Sequence, residues 1–477
     1  MKEVHTISAD ILNTFPAVDE AEVEKLLQEE VKKNQKKIVV LDDDPTGVQT
    51  VHDISVYTGW DLDSIRQGFE EEGNLFYILT NSRGLTVPQT TQVHQDIAHR
   101  VAQVARETGK DFILMSRSDS TLRGHYPLEP AILKEIVQQE TKTTIDGEIL
   151  CPFFKEGGRF TIDDVHYVKY GDRLVPAGET EFAGDKTFGY KASDLKEYIE
   201  EKTGGQFRAA DVTSISLADL RALRIETITE QLMAVSDFRK VVVNAIDYVD
   251  VKVFCIALYR AMAQGKHFMF RTAAALVKEI GGISSQPLLT REQMVTEETT
   301  NGGVIVVGSH TEKTTRQLEA LKQVPGIVSI EFDSDLVLDD EKFAEETRRV
   351  TGLIEDTIAS GKTAVAYTRR KLLVVENDTK EEALVRSVKI SDAVQSLVGN
   401  LTVKPSFVIA KGGITSSDVG TKALRVRRAT VMGQIRPGIP VWKTGMESRF
   451  PNTPYVIFPG NVGEDVTLRE AAEILMK

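Results

Sequence analysis

Short aliphatic and β-branched runs, three to five residues long, recur along this chain. Each is followed at once by polar or glycine-rich residues, and amphipathic stretches separate the runs. In the first half they are Ile38–Leu41, Leu75–Leu79, Phe112–Met115 and Val241–Val243. In the second they are Val304–Val307, Ala364–Tyr367, Phe407–Ala410 and Tyr455–Phe458, with helical spacing over Thr314–Leu321 and near Glu341–Ser360. Continuous apolar runs of this length suit parallel strands buried on both faces, with helices as crossovers. The pattern therefore predicts an α/β protein of two domains, each with a mainly parallel sheet flanked by helices. A chain of 477 residues also exceeds what one hydrophobic core usually organises.

The polar, Gly-bounded stretch 281–303 is read as the linker between domains spanning 37–280 and 304–477. Residues 1–36 form an N-terminal helical appendage. Val23, Leu26, Leu27 and Val31 have helical spacing there, which suits a solvated or dimer-covering helix. Between Cys151 and Lys191 the chain turns rich in Gly, Asp and aromatics, as expected of a hairpin-like excursion serving as a wall or lid.

Several function classes fall away. A net charge of -13 disfavours nucleic acid, whose backbone demands clustered positive charge. No apolar run approaches the roughly 20 residues that span a bilayer, and the first ten residues do not resemble a secretory signal. The two cysteines, Cys151 and Cys255, lack ligand-like spacing, which fits a reducing cytoplasm and argues against a disulfide framework or structural zinc.

Three strands of the first half end in polar clusters, and ligands of open α/β sheets sit at the carboxyl ends of strands. The run Asp42, Asp43, Asp44, Pro45, Thr46, Gly47 follows the first strand. Adjacent carboxylates repel, which suits a general base for a hydroxyl proton or a magnesium ligand. A plainer reading has Asp44 capping a helix that begins at Pro45. The second cluster carries Arg117, Asp119, Ser120, Thr121, Arg123 and Gly124. An arginine fork binds a carboxylate through two parallel hydrogen bonds, and an internal Asp–Arg pair is the plainer alternative. Asn81, Ser82 and Arg83 make the third. His52 and His125 receive no role, and no residue is singled out as a metal ligand.

Glycine takes over in the second half. Gly308–Ser309, Gly412–Gly413–Ile414–Thr415 and Gly460–Asn461–Val462–Gly463 each follow a strand. Glycine lets backbone approach a phosphate closely, so three such loops together describe a nucleotide cradle, although each alone is explained by a tight turn. Neither a Walker loop nor G-x-G-x-x-G is present. Gly361–Lys362–Thr363 lacks the glycine five positions earlier, where Asp356 stands.

These motifs, in this order, resemble the four-carbon acid sugar kinases, which phosphorylate threonate, erythronate or 3-oxo-tetronate with ATP. Asp43–Asp44–Pro45–Thr46–Gly47 and Ser118–Asp119–Ser120–Thr121–Leu122–Arg123–Gly124 match the acid-sugar half. Gly308–Ser309, Gly412–Thr415 and Gly460–Gly463 match the nucleotide half. The resemblance implies an ATP- and Mg²⁺-dependent kinase of carbohydrate catabolism, cytoplasmic and open to homodimer formation, with its active site in the interdomain cleft. Asp43 and Asp119 would be catalytic, with Asp44, Thr46, Arg83, Arg117 and Arg123 around the acid. Ser309, Gly412, Gly413, Ile414, Thr415, Gly460, Asn461 and Gly463 would hold the nucleotide. Arg271, Thr272 and Asn244 depart from the family pattern, which leaves open a non-catalytic ligand-binding protein on the same fold. A dinucleotide oxidoreductase is disfavoured by the missing fingerprint.

Overall fold

The computed structural model describes residues 4–371, 373–375, 378–460 and 462–476. The chain forms two compact units, Met1–Gly47 with Gly59–Ser285, and Val48–Thr58 with Gln286–Lys477. It therefore passes between units three times, and the first passage directly follows the Asp42–Gly47 run.

The first unit is built on a parallel sheet in the order Thr213–Ile215, Arg239–Val243, Gly147–Cys151, Phe268–Thr272, Phe112–Arg117, Lys37–Asp42, Leu75–Leu79. Lys37–Asp42, Leu75–Leu79 and Gly147–Cys151 are buried along their whole length. This is the expected signature of strands covered on both faces. The helix Glu20–Lys33, read from sequence as an appendage, belongs to this unit. It buries Val23 and Leu27, and its polar flank pairs with the helix Tyr248–Ala263 through Glu24–Lys252 at 2.5 Å and Glu30–Arg260 at 3.3 Å. The excursion supplies three strands of a separate antiparallel sheet, Arg173–Pro176, Val165–Tyr170 and Arg159–Ile162, to which Ile7–Ser8, from the stretch expected to be only helical, adds at Arg173–Pro176.

In the second unit five strands run parallel, in the order Pro454–Phe458, Val408–Lys411, Val304–Val307, Thr363–Thr368, Ile327–Phe332. An antiparallel extension adds Ile439–Thr444, Arg428–Arg436 and, from the early part of the chain, Ile54–Tyr57. Gln49 fixes that segment by donating from Nε2 to the Gly438 carbonyl at 2.9 Å. The stretch expected as linker divides at Ser285. Beyond that point Leu289 and Met294 are buried in the second core, and Arg291 donates to the Leu475 carbonyl at 3.2 Å. Among the described residues no helix is long and apolar enough to cross a membrane.

Candidate functional site

Three neighbouring parallel strands, Phe112–Arg117, Lys37–Asp42 and Leu75–Leu79, end together, so the three polar clusters of the first half converge. Phe268–Thr272 lies next to Phe112–Arg117 and adds Arg271. Asp43 is engaged from several sides. Arg83 grips it through Nη2 at 2.6 Å and Nε at 3.2 Å, Arg117 stands 3.8 Å away, and the Ser118 hydroxyl donates to it. Arg117 also pairs with Asp42 at 3.1 Å. Asp44 accepts from the backbone N–H of Thr46 at 2.9 Å and from its hydroxyl at 2.5 Å. It caps the short turn Pro45–Val48 as the plainer reading expects, while also lying 3.4 Å from Arg83. Asp119 receives Arg123 Nε at 2.6 Å and the Thr121 hydroxyl.

The carboxylates differ in proton affinity. Burial raises that of Asp42, with Asp43 and Asp44 adding like charge against Arg117, and its carboxyl is pushed up to about 7. Burial opposes ionisation of Asp43 as well, but Arg83, Arg117 and Arg271 outweigh it and hold the group below the ordinary range. Asp119 is likewise pulled well down against its burial by Arg123 and Arg83. Asp43 and Asp119 are thus held as anions, while Asp42 is brought close to its midpoint at neutral pH.

The loop 118–124 is suspended by its carbonyls. His166 Nε2 donates to Ser120 O at 2.8 Å, Tyr190 to Thr121 O at 2.8 Å, Tyr198 to Leu122 O at 2.9 Å, and Arg271 to Arg123 O at 2.7 Å. His166 also faces the Thr161 hydroxyl at 3.0 Å. Burial lowers its proton affinity to about 4, so it is neutral. Arg271 therefore holds the arginine-bearing loop in place, and a small cavity lined by Asp119, Arg271 and Tyr198 remains beside it. Asn244 serves structure. It donates to Asp164 Oδ1 and the Ile215 carbonyl, both at 2.9 Å, and accepts from the Asp164 N–H at 2.7 Å. His125 bonds the Leu85 carbonyl.

Gly124 is needed at the end of this loop. Its φ is +112°, and a Cβ there would lie 2.6 Å from Ser118 Oγ and 3.1 Å from Asp43 Oδ2. Gly124→Ala is expected to lower stability by about 1–3 kcal/mol, read by thermal or denaturant unfolding. An unchanged unfolding midpoint would show that the loop relaxes freely.

In the second unit the glycine loops follow Val304–Val307, Val408–Lys411 and Pro454–Phe458, three adjacent parallel strands, and so they too converge. The Gly412 N–H donates to the Phe458 carbonyl at 3.0 Å. A Cβ on Gly308 would sit 2.3 Å from Thr415 Oγ1, and one on Gly412, whose φ is +119°, would sit 3.1 Å from Ser309 Cβ. Ser309, Gly412 and Thr415 thus form one tight corner. Gly413 opens the helix Gly413–Asp418 and Ile414 is exposed. Gly460 faces open space, and Gly463 has φ +81°. Asn461 lies outside the described residues.

Two basic groups here escaped the sequence reading. Lys411 ends its strand just before Gly412 and is wholly buried. Its Nζ donates to the carbonyls of Pro459 at 2.6 Å and Gly460 at 3.1 Å. Burial, with the like charge of Lys313 adding, pushes it down to about 7. Arg370, past the end of Thr363–Thr368, donates to the Ser309 carbonyl and lies 3.2 Å from the Thr315 hydroxyl. The signal in sequence is a basic residue at, or two positions past, the last residue of a strand.

Asp42, Asp43 and Asp119 are each paired with a guanidinium group, and among the described residues no group of three or more metal-ligating side chains forms.

Residues 38–280 match a sugar-binding N-terminal domain, and residues 304–468 match a nucleotide-binding C-terminal domain. Among solved structures, the fold is similar to a Haemophilus influenzae protein assigned to a domain family of unknown function. That protein is 17% identical, with 92% of this chain and 100% of that one covered at a TM-score of 0.60. A Salmonella typhimurium LT2 protein is 14% identical, with coverage of 91% and 98% and a TM-score of 0.66. No curated protein matches the chain.

Proposed function

The chain belongs to the four-carbon acid sugar kinase family, and from that membership we propose that it transfers the γ-phosphoryl group of ATP to a hydroxyl of a small sugar acid. The observation that carries the reading is the pairing of site types. The sugar-binding half ends its strands in carboxylates and arginines, and the nucleotide-binding half ends its strands in glycine corners backed by Lys411 and Arg370.

In this reading Arg83, Arg117 and Arg123 select an acid over a neutral sugar, since hydrogen bonds between charged groups contribute about 1.5–3 kcal/mol each. The acid's hydroxyl oxygen attacks the γ-phosphorus, the bond to the β–γ bridging oxygen breaks, ADP leaves, and the hydroxyl proton passes to Asp43. Phosphoryl transfer has a loose transition state that asks more for positioning than for strong basicity. A carboxylate held ionised and fixed by Arg83 and Ser118 suits that demand. Asp119 stands behind it, orienting Arg123 and accepting substrate hydroxyls. Ser309, Gly412, Gly413, Ile414, Thr415, Gly460, Asn461 and Gly463 are the proposed nucleotide contacts. Mg²⁺ would neutralise the phosphate charge when bound with ATP.

Incubation with Mg-ATP and a panel of four-carbon hydroxy acids is expected to release ADP with at least one acid and not with the matching polyol. Stabilisation by an acid with no ADP release would instead assign a non-catalytic binding role.

A further inference from the structure

We infer that Arg159, on the antiparallel wall, is a carboxylate-binding residue for the sugar acid and works beside Arg123 across the ring of Phe182.

Arg159 starts the strand Arg159–Ile162, and its backbone is pinned by paired hydrogen bonds with Phe154 at 2.9 and 3.1 Å. Its guanidinium carbon lies 5.5 Å from the centroid of the Phe182 ring, and that of Arg123 lies 5.0 Å from the same ring. The two cations thus share one aromatic platform. Arg123 is neutralised by Asp119 at 2.6 Å. Arg159 has no such partner. Its Nε is shut away from solvent without a hydrogen bond, and among the described residues it forms no ion pair. The next carboxylate, Glu181, is engaged by the Tyr170 hydroxyl at 2.5 Å.

A guanidinium whose Nε is buried without an acceptor is a costly arrangement that an incoming anion relieves. Burial presses Arg159 below its ordinary proton affinity, which Asp119 opposes and Arg123 reinforces. An anion between the two arginines would reverse that pressure. The wall is also anchored to the site loop through His166, which bonds Ser120 O from the neighbouring strand. Arg159 is therefore held in position before ligand arrives. The chemistry that fits is a planar carboxylate taken by a rigid fork.

This inference rests on the sugar-acid reading, and the experiment separates the two. Wild type, Arg159→Gln and Arg159→Lys would be titrated with erythronate, threonate and the corresponding neutral amides, following both binding and ADP release. Arg159→Gln is expected to weaken acid binding about 10- to 100-fold, the effect of one lost charge-assisted contact. Amide binding should be unchanged, Arg159→Lys should recover part of the acid affinity, and the ligand-free unfolding midpoint should not fall. Equal acid affinity in wild type and Arg159→Gln would overturn the assignment even with ADP release intact. So would equal losses for acid and amide, a variant that no longer folds, or a wild type blind to every acid. Acid binding lost in Arg159→Gln, with no ADP released by any form, would uphold Arg159 and end the kinase reading.

Discussion

Asp43→Asn is expected to lower turnover about a thousandfold while leaving nucleotide affinity within about threefold, in keeping with the usual contribution of a positioned base. Asparagine keeps the shape of the side chain but cannot accept a proton and offers Arg83 one neutral oxygen where two charged ones stood. The proposed nucleotide contacts lie in the other unit, so nucleotide affinity reads the second unit apart from the substituted one. Leaving Arg83 and Arg117 with less negative charge is expected to reduce the stability of the first unit by a few kcal/mol, as breaking a buried pair does. The pH dependence has a definite sign. Asp43 is held below the ordinary carboxylate range, so it stays ionised to lower pH than a free aspartate. Its contribution to stability is present above the unfolded-state value and lost as pH falls through the folded one. Turnover should therefore show no acid limb from this residue near pH 5. Retention of wild-type turnover by Asp43→Asn would remove it from the mechanism.

Burial explains which parts of this architecture were legible from sequence. A run such as Ile38–Leu41, enclosed on both faces, has no freedom to carry polar residues until it ends, so the strand and its functional terminus were both readable. The glycine corners were readable for a similar reason, since no side chain fits at Gly308 or Gly412. The antiparallel pair Arg428–Arg436 and Ile439–Thr444 was not read. Its alternating burial and its Pro437–Gly438 turn are a weaker signal than an unbroken apolar run, and its bulges blur the period. The transfer of Val48–Thr58 to the second unit left no local trace, because a four-residue strand reads alike whichever sheet receives it.

The helix Glu20–Lys33 shows a further limit. Its spacing was visible, but the partner that buries Val23 and Leu27 lies more than two hundred residues away, and no periodicity names a partner. The same holds for the donors suspending loop 118–124. Tyr190, Tyr198, His166 and Arg271 come from four separate segments, and each alone reads as an ordinary core or strand residue. Arg271, whose departure from the family pattern left open a non-catalytic ligand-binding protein, has a structural duty in holding the Arg123 carbonyl.

Lys411→Met is expected to change both the pH dependence of stability and nucleotide binding. In the folded chain Lys411 is pushed down to about 7, whereas an unfolded lysine titrates near 10.4. Between those values the unfolded state holds a proton that the folded state lacks, so wild-type stability gains with rising pH across that window. Below pH 7 the full penalty of a buried charge applies, and above the unfolded value it is gone. Methionine has no such term. The stability difference, wild type minus variant, should therefore climb from pH 7 to pH 10, by several kcal/mol as an order of magnitude. Other titrating groups cancel in that difference. The carbonyls of Pro459 and Gly460 lose their shared donor in the variant. Two hydrogen bonds of ordinary strength order this loop, and nucleotide affinity should fall about tenfold without them. Parallel stability curves with unaltered nucleotide affinity would mean that Lys411 is an accommodated core residue and not a support of the nucleotide corner.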